Sequence, residues 1–294
     1  MYDFLLRVFN ILVDFLISLV FFCKIGDFMN KMISIVSATY NASKTIEKMI
    51  LSVLEQKNFS NIEFIIIDGE SKDETVNIIK KYSQYIDYWI SEPDKGIYNA
   101  FNKGVKKATG KYIYFLGSDD YLSNNIIMNE MEQYLNKNID IVCGKVYLLD
   151  SILNIRKISG KFLSKQEILS GQMAPHQGMF MKRELALKYK FNEEYRIASD
   201  YELFLRAILD GAKIMFIDLV IANYNVQGVS SNDNKKFQEE YIAILKKYGL
   251  DKNIESFIKN NKEKKPKWRM FIKSILRILK LERHIKCLLG WEKF

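Results

Sequence analysis

Between residues 32 and 116, short apolar runs ending on small polar or acidic residues alternate with stretches of helical periodicity. Residues 33–37, 63–67 and 112–116 read as strands, and 87–90 as a shorter one. Residues 43–56 place Ile46, Met49, Ile50, Val53 and Leu54 on one helical face, with Ser43 as the expected cap. Residues 73–82 and 96–108 are the next two expected helices. This alternation predicts an α/β class with a mostly parallel central sheet and helices on both faces. Ligands of such sheets bind beyond the carboxyl ends of the strands. The residues following each strand are therefore the first candidates for chemistry.

After Asp120 the rhythm loosens. Residues 124–135, 200–209 and 237–248 read as helices, and 139–146, 213–217 and 221–225 as strands. Residues 147–182 read as shorter strands and loops, and 227–235 as a polar loop. With no linker-like composition and no internal repeat, 32–250 reads as one domain, flanked by segments 1–31 and 251–294. The three cysteines are scattered and fit a reducing compartment, and two histidines cannot build a zinc site.

The net charge of +9 suggests a polyanion partner until it is located. Residues 259–294 hold twelve Lys/Arg against three Glu, which accounts for the whole excess and leaves residues 1–258 neutral. A nucleic-acid surface on the domain is therefore not expected. On a helical wheel of residues 268–289, Arg269, Lys273, Arg277, Lys280 and Arg283 share one arc, opposite Trp268, Phe271, Ile272, Ile275, Leu279, Ile285 and Leu289. That pattern suits a helix lying on an anionic membrane, or one docking its apolar face on the domain. Residues 4–23 are nearly long enough to span a bilayer, yet Asp3, Arg7, Asn10, Asp14 and Ser18 form a polar stripe. Arg7 and Asp14 would each cost roughly 2.5–3.5 kcal/mol near the bilayer centre. The segment reads as a hydrophobic helix that contacts the membrane or packs on the domain, without a signal-peptide cleavage site. Met29 or Met32 is an alternative start.

Three expected strand ends share one rim: Ala38-Thr39-Tyr40-Asn41, Asp68 to Asp73, and Ser118-Asp119-Asp120. Adjacent acids at such a rim suit a hard divalent cation that also holds a diphosphate. Neither G-x-G-x-x-G nor a Walker-type phosphate loop is present, which argues against a dinucleotide-dependent dehydrogenase and a P-loop ATPase.

The segments VSATYNASKTI, IIIDGESKDET, SEPDKGIYNAFNKG, ATGKYIYFLGSDD, HQGMF and ASDYELFLRA, in that order, resemble glycosyltransferase family 2, the inverting enzymes of the GT-A fold. The likeness covers about residues 32–225. It implies a GT-A domain with added terminal amphipathic helices, a nucleotide-sugar donor, and Mg²⁺ or Mn²⁺. Carried over by motif, Ala38, Thr39 and Tyr40 border the nucleoside and Asp68 lies beneath the base. Asp94, Lys95 and Gly96 enter a helix near the nucleotide. Asp119 meets the ribose, Asp120 ligates the metal, and Asp200 is the catalytic base. His176 is either an acceptor-side group or a half-buried packing histidine, and Glu202 is expected as a helix-surface acid. Many relatives carry two consecutive acids where this chain has Asp68-Gly69, the second often contacting uracil, so the donor base stays open among UDP, GDP and dTDP.

The resemblance thus implies transfer of a sugar, a UDP-sugar by preference, to a glycan or lipid-linked acceptor in bacterial surface polysaccharide synthesis. The expected location is the cytoplasmic face of the plasma membrane, peripheral or N-terminally anchored. The alternatives are a sugar-nucleotide nucleotidyltransferase, whose glycine-rich basic loop ATYNASKT lacks, and an inactive membrane-bound assembly partner.

Overall fold

The computed structural model describes residues 31–150, 152, 154–226, 234–262 and 290–293. The expected N-terminal helix, residues 227–233 of the expected polar loop 227–235 and the amphipathic stretch 268–289 lie outside the described residues, and residues 234 and 235 of that loop are helical instead. No described helix is long and apolar enough to cross a membrane.

The first half is built as the alternation requires. Strands β1 (Ile33–Thr39), β2 (Ile62–Asp68), β3 (Tyr88–Ser91) and β4 (Tyr112–Phe115) pair in parallel, in the spatial order β3-β2-β1-β4. Helices α1 (Ile46–Leu54), α2 (Thr75–Lys81) and α3 (Ile97–Lys107) connect them. Every residue of β1 and β2 is buried, as expected of parallel strands covered on both faces. Successive side chains of a strand point to opposite faces. Accordingly Val36, Ala38, Ile65, Ile67, Ile113 and Phe115 join the core under α3, while Ile33, Ile35, Phe64, Ile66, Tyr112 and Tyr114 join the core that holds α1.

The second half makes the sheet mixed. After β5 (Tyr121–Leu122) and α4 (Ile127–Leu135) come β6 (Ile141–Asp150), β7 (Ile155–Ser159), α5 (Lys165–Leu169), β8 (Met179–Lys182), α6 (Arg183–Tyr189), α7 (Ser199–Leu209) and β9 (Ile214–Asn225). Strand β8 inserts antiparallel between β4 and β6. Strand β9 runs parallel to β6 across a register shift near Lys145, and its far end pairs with β5. The two strands expected at 213–217 and 221–225 are therefore one.

Helices α8 (Asn234–Lys247) and α9 (Ile254–Lys262) pack on α7 through Tyr201, Leu205, Tyr241, Ile244 and Phe257, so the packing runs past residue 250. The final strand β10 (Glu292–Lys293) returns to the sheet and pairs antiparallel with β7, where Arg156 meets Glu292 at 2.9 Å.

Two local expectations need correction. Helix α1 begins at Ile46, not Ser43, and has no side-chain cap; the Ser43 N–H instead donates to Asp73 Oδ2 at 3.0 Å. Glu202 is not on the surface. It is buried between Arg206 at 2.7 Å, Lys247 at 3.0 Å and the Tyr248 hydroxyl at 2.5 Å.

Candidate active site

The parallel strands end on one rim, as expected, with Thr39 and Asp68 in register. The turns after β1 and β2 are tied together by side chains. The Asn41 N–H donates to Ser71 Oγ, the Lys72 N–H to Asn41 Oδ1, and the Ala42 N–H to Thr75 Oγ1, each at 2.8 Å. Asp73 accepts from Ser43 and Thr75, and these hydrogen bonds hold its carboxyl well below the usual range despite the opposing effect of burial.

Asp68, expected beneath the nucleotide base, is fully buried. Its carboxylate accepts from the Ser71 N–H at 2.9 Å, Ser71 Oγ at 2.5 Å and Ser91 Oγ at 2.6 Å. These three hydrogen bonds tie the turn after β2 to the end of β3. Ala38 and Thr39 also have buried side chains, whereas Tyr40 is 62% exposed. Lys95 and Gly96 are exposed at the start of α3, and the Gly96 N–H donates to Asp94 Oδ1 at 2.8 Å. Gly96 has φ +114°, a conformation that favours glycine. Gly69 is bare for another reason: a Cβ there would fall 2.5 Å from Asp94 Oδ2 and 3.4 Å from Tyr40 Cδ2.

After β4 the chain turns at Gly117, and both following acids fold back over it. A Cβ on Gly117 would lie 2.7 Å from Asp120 Oδ2 and 3.1 Å from Asp119 Oδ1. Asp120 is 2% exposed and accepts from the Asn225 N–H at 2.9 Å and from the Gln177 side-chain amide. Burial, and next the Asp119 charge, push its carboxyl well above the carboxylate range; burial also raises Asp119. No ion pair joins either acid to a described Lys or Arg. Two desolvated carboxylates over one small space suit a divalent cation, which binds through one or two carboxylates and completes its shell with water and phosphate oxygens. No cluster of three acids, histidines or cysteines exists among the described residues, so a closed protein cage is not the arrangement here.

On the opposite side of the crevice, Asp200 sits in the first turn of α7. Its Oδ1 accepts from the Tyr201 N–H at 2.8 Å and faces the Tyr98 hydroxyl at 3.3 Å, which itself donates to the Ile197 carbonyl at 2.6 Å. Burial raises the Asp200 carboxyl, and His176 partly opposes the shift. Burial lowers His176, against the pull of Asp200, so the imidazole is neutral at neutral pH. The ring stacks on Phe115 with centroids 5.3 Å apart and meets Phe101 and Phe191 edge-on.

The helix start below Asp200 is capped from a distance. Ala198 offers no side chain for the task, and buried Glu240 of α8 accepts from the N–H groups of Arg196, Ile197 and Ala198 at 2.8, 2.8 and 3.0 Å. Asp200 and His176 open onto a cavity of about 890 Å³, lined also by Gln177, Leu148, Ile158, Tyr224 and Phe257.

The single turn His176–Gly178 joins the two sides. His176 lies by Asp200, while the next residue, Gln177, holds Asp120 and is itself fixed by the Tyr114 hydroxyl, which donates to its carbonyl at 2.7 Å. Asp120 and Asp200 are thus linked through adjacent residues of one turn, while Tyr40 and Asp94 meet around Gly69 beyond the ends of β1 and β2. Sequence reasoning did not assign Tyr98, Gln177, Asn225 or Glu240. Only Gln177 carried a local signal, in the polar pair of HQGMF.

Known proteins resemble this chain in sequence and in fold. An "Uncharacterized glycosyltransferase" of Mycobacterium tuberculosis is 29% identical over 203 residues, covering 68% of this chain and 77% of that protein. The "Minor teichoic acid biosynthesis protein GgaB" of Bacillus subtilis is 26% identical over 82% of this chain, which spans only 29% of GgaB. Among solved structures, S. aureus TarS 1–349 in complex with UDP-GlcNAc superposes with a TM-score of 0.61 at 18% identity, covering 77% of this chain and 71% of that one. A mannosyltransferase from Pyrobaculum calidifontis in complex with GDP-Man and Mn²⁺ gives 0.53 at 14% identity, covering 72% and 60%. These likenesses bear out the expected GT-A architecture. The family model described as "Glycosyl transferase family 2" matches residues 34–209, well over half of the chain, and the chain belongs to that family.

Proposed function

We propose that this protein is an inverting glycosyltransferase. It moves a sugar from a nucleotide-sugar donor, a UDP-sugar by preference, to a hydroxyl of a glycan or lipid-linked acceptor in bacterial surface polysaccharide synthesis. The observation that supports the reading is the His176–Gln177 turn, in which Gln177 holds Asp120 and His176 lies by the half-buried Asp200.

In this mechanism the ionised Asp200 accepts the proton of the acceptor hydroxyl as that oxygen attacks the anomeric carbon. The new C–O bond forms on the face opposite the departing diphosphate, which leaves with the electron pair of the broken C–O bond, and configuration inverts. The Tyr98 hydroxyl and the Tyr201 N–H keep Asp200 oriented, and the His176 ring beside it is held by packing on Phe115. Asp120, with Asp119 beside it, would hold a Mg²⁺ or Mn²⁺ ion, which supplies Lewis-acid stabilisation of the leaving group.

The reading includes a peripheral or N-terminally anchored place on the cytoplasmic face of the plasma membrane. It rests on the apolar pattern of residues 4–23 and on the basic excess after residue 259.

The decisive experiment compares Asp200→Asn with the wild type: transfer is abolished while metal-dependent UDP binding is retained. Turnover by that variant, or full activity in EDTA, overturns the assignment.

A further inference from the structure

Position 69, directly after the strand-end Asp68, carries no side chain, and the structure shows what occupies the space. Gly69 is not among the glycines with positive φ, so backbone conformation does not require it. A side chain there would have to displace the Asp94 carboxylate, whose Oδ2 would lie 2.5 Å from a Cβ at position 69. Asp94 Oδ1 is held by the Gly96 N–H. Oδ2 has no hydrogen bond or ion pair among the described residues. Tyr40 presents its largely exposed ring beside the same spot, with Cδ2 3.4 Å from that Cβ position. A flat ring, a bare backbone and a free carboxylate oxygen together make a slot for a nucleobase: stacking on one side, an acceptor at the edge.

We propose that Asp94, not the strand-end Asp68, reads the donor's base by accepting its ring N–H through Oδ2, and that Gly69 makes room for it. The assignment rests on the nucleotide-sugar reading above and adds a specificity to it. Ionised carboxylates only accept, so the base must offer an N–H there, as uracil, thymine and guanine do. Cytosine and adenine present a bare ring nitrogen, which meets Oδ2 as acceptor against acceptor. Asp68 is less suited, being fully buried with both oxygens engaged by Ser71 and Ser91.

The test is calorimetric titration of the full chain with UDP, dTDP, GDP and CDP in Mn²⁺. Wild type is expected to prefer at least one of the first three over CDP. Asp94→Asn keeps the acceptor for Gly96 but turns a donor toward the base. It should weaken UDP by about tenfold or more and shift the UDP-to-CDP ratio toward CDP, which a purely structural role would not do. Gly69→Ala should displace the Asp94 carboxylate and lose UDP by a similar factor, with no further loss when combined with Asp94→Ala. An unchanged UDP-to-CDP ratio in Asp94→Asn, or wild-type binding by Gly69→Ala, overturns the proposal while leaving the donor reading intact. Wild-type protein that binds no nucleotide overturns both.

Discussion

Glu240 never approaches the crevice rim, yet the geometry makes it a determinant of the base. Its carboxylate closes the open end of α7 by accepting three backbone N–H groups, two residues before Asp200. Hydrogen bonds to a charged acceptor are worth about 1.5–3 kcal/mol each. In Glu240→Gln the amide oxygen can face Ile197 and Ala198, or Arg196, but not both sides. At least one N–H then meets an NH₂ group, at a cost of about 1.5–3 kcal/mol. Glu240→Ala leaves the three N–H groups without their acceptor, that of Ala198 buried and the other two part-buried, and compensation by water sets its cost at about 3–5 kcal/mol. Urea denaturation with unchanged m-values measures both losses. Because the freed segment carries Asp200, kcat should fall in Glu240→Gln while donor KM stays within about twofold, a split that follows from misplacing one reacting group. A Glu240→Gln variant within about 0.5 kcal/mol of wild type, with unaltered kcat, would refute the argument.

Other outcomes follow from the same site. Burial holds the Asp200 carboxyl above its unfolded value, so its ionisation opposes folding; this stability is present below the unfolded pKa and lost as pH rises through the folded one. Asp200→Asn should therefore melt higher than wild type at pH 7, with the gap closing in acid, and the acid limb of the wild-type kcat profile should lie above the usual carboxylate range. Gly117→Ala places a methyl 2.7 Å from Asp120 Oδ2, and titration of activity with Mn²⁺ should show apparent metal affinity lowered by about tenfold. Reversing Lys273, Arg277 and Lys280 to Glu should release the protein from anionic vesicles in a flotation assay without changing transfer to a soluble acceptor.

The strands and rim of the first half were legible because β1, β2 and β4 are continuous apolar runs that end abruptly on polar residues. What stayed hidden depends on partners remote in sequence. Helix α1 starts late because Asp73, thirty residues away, takes the Ser43 N–H. Glu202 looked like an exposed acid because Lys247 and Tyr248, its partners, lie on α8 and just beyond it. Glu240 carried no signal, since the N–H groups it caps belong to a segment more than forty residues earlier. Asp94 was placed near the nucleotide by motif, but only the fold sets it against Gly69.

The His176–Gln177 turn has a consequence for how such an enzyme can change. The residues that meet the two carboxylates, His176 and Gln177, are adjacent, about 3.8 Å apart between Cα atoms, and the Gln177 carbonyl is pinned by the Tyr114 hydroxyl from the sheet. The cavity beside Asp200, which the proposed function would give to the acceptor, is walled instead by Leu148, Ile158 and Phe257, from β6, β7 and α9, none of which holds the acid pair. Those walls can be exchanged to admit a different acceptor while the spacing between leaving group and incoming hydroxyl stays fixed. Inserting a residue at 176–177 would break that spacing whichever acceptor is present.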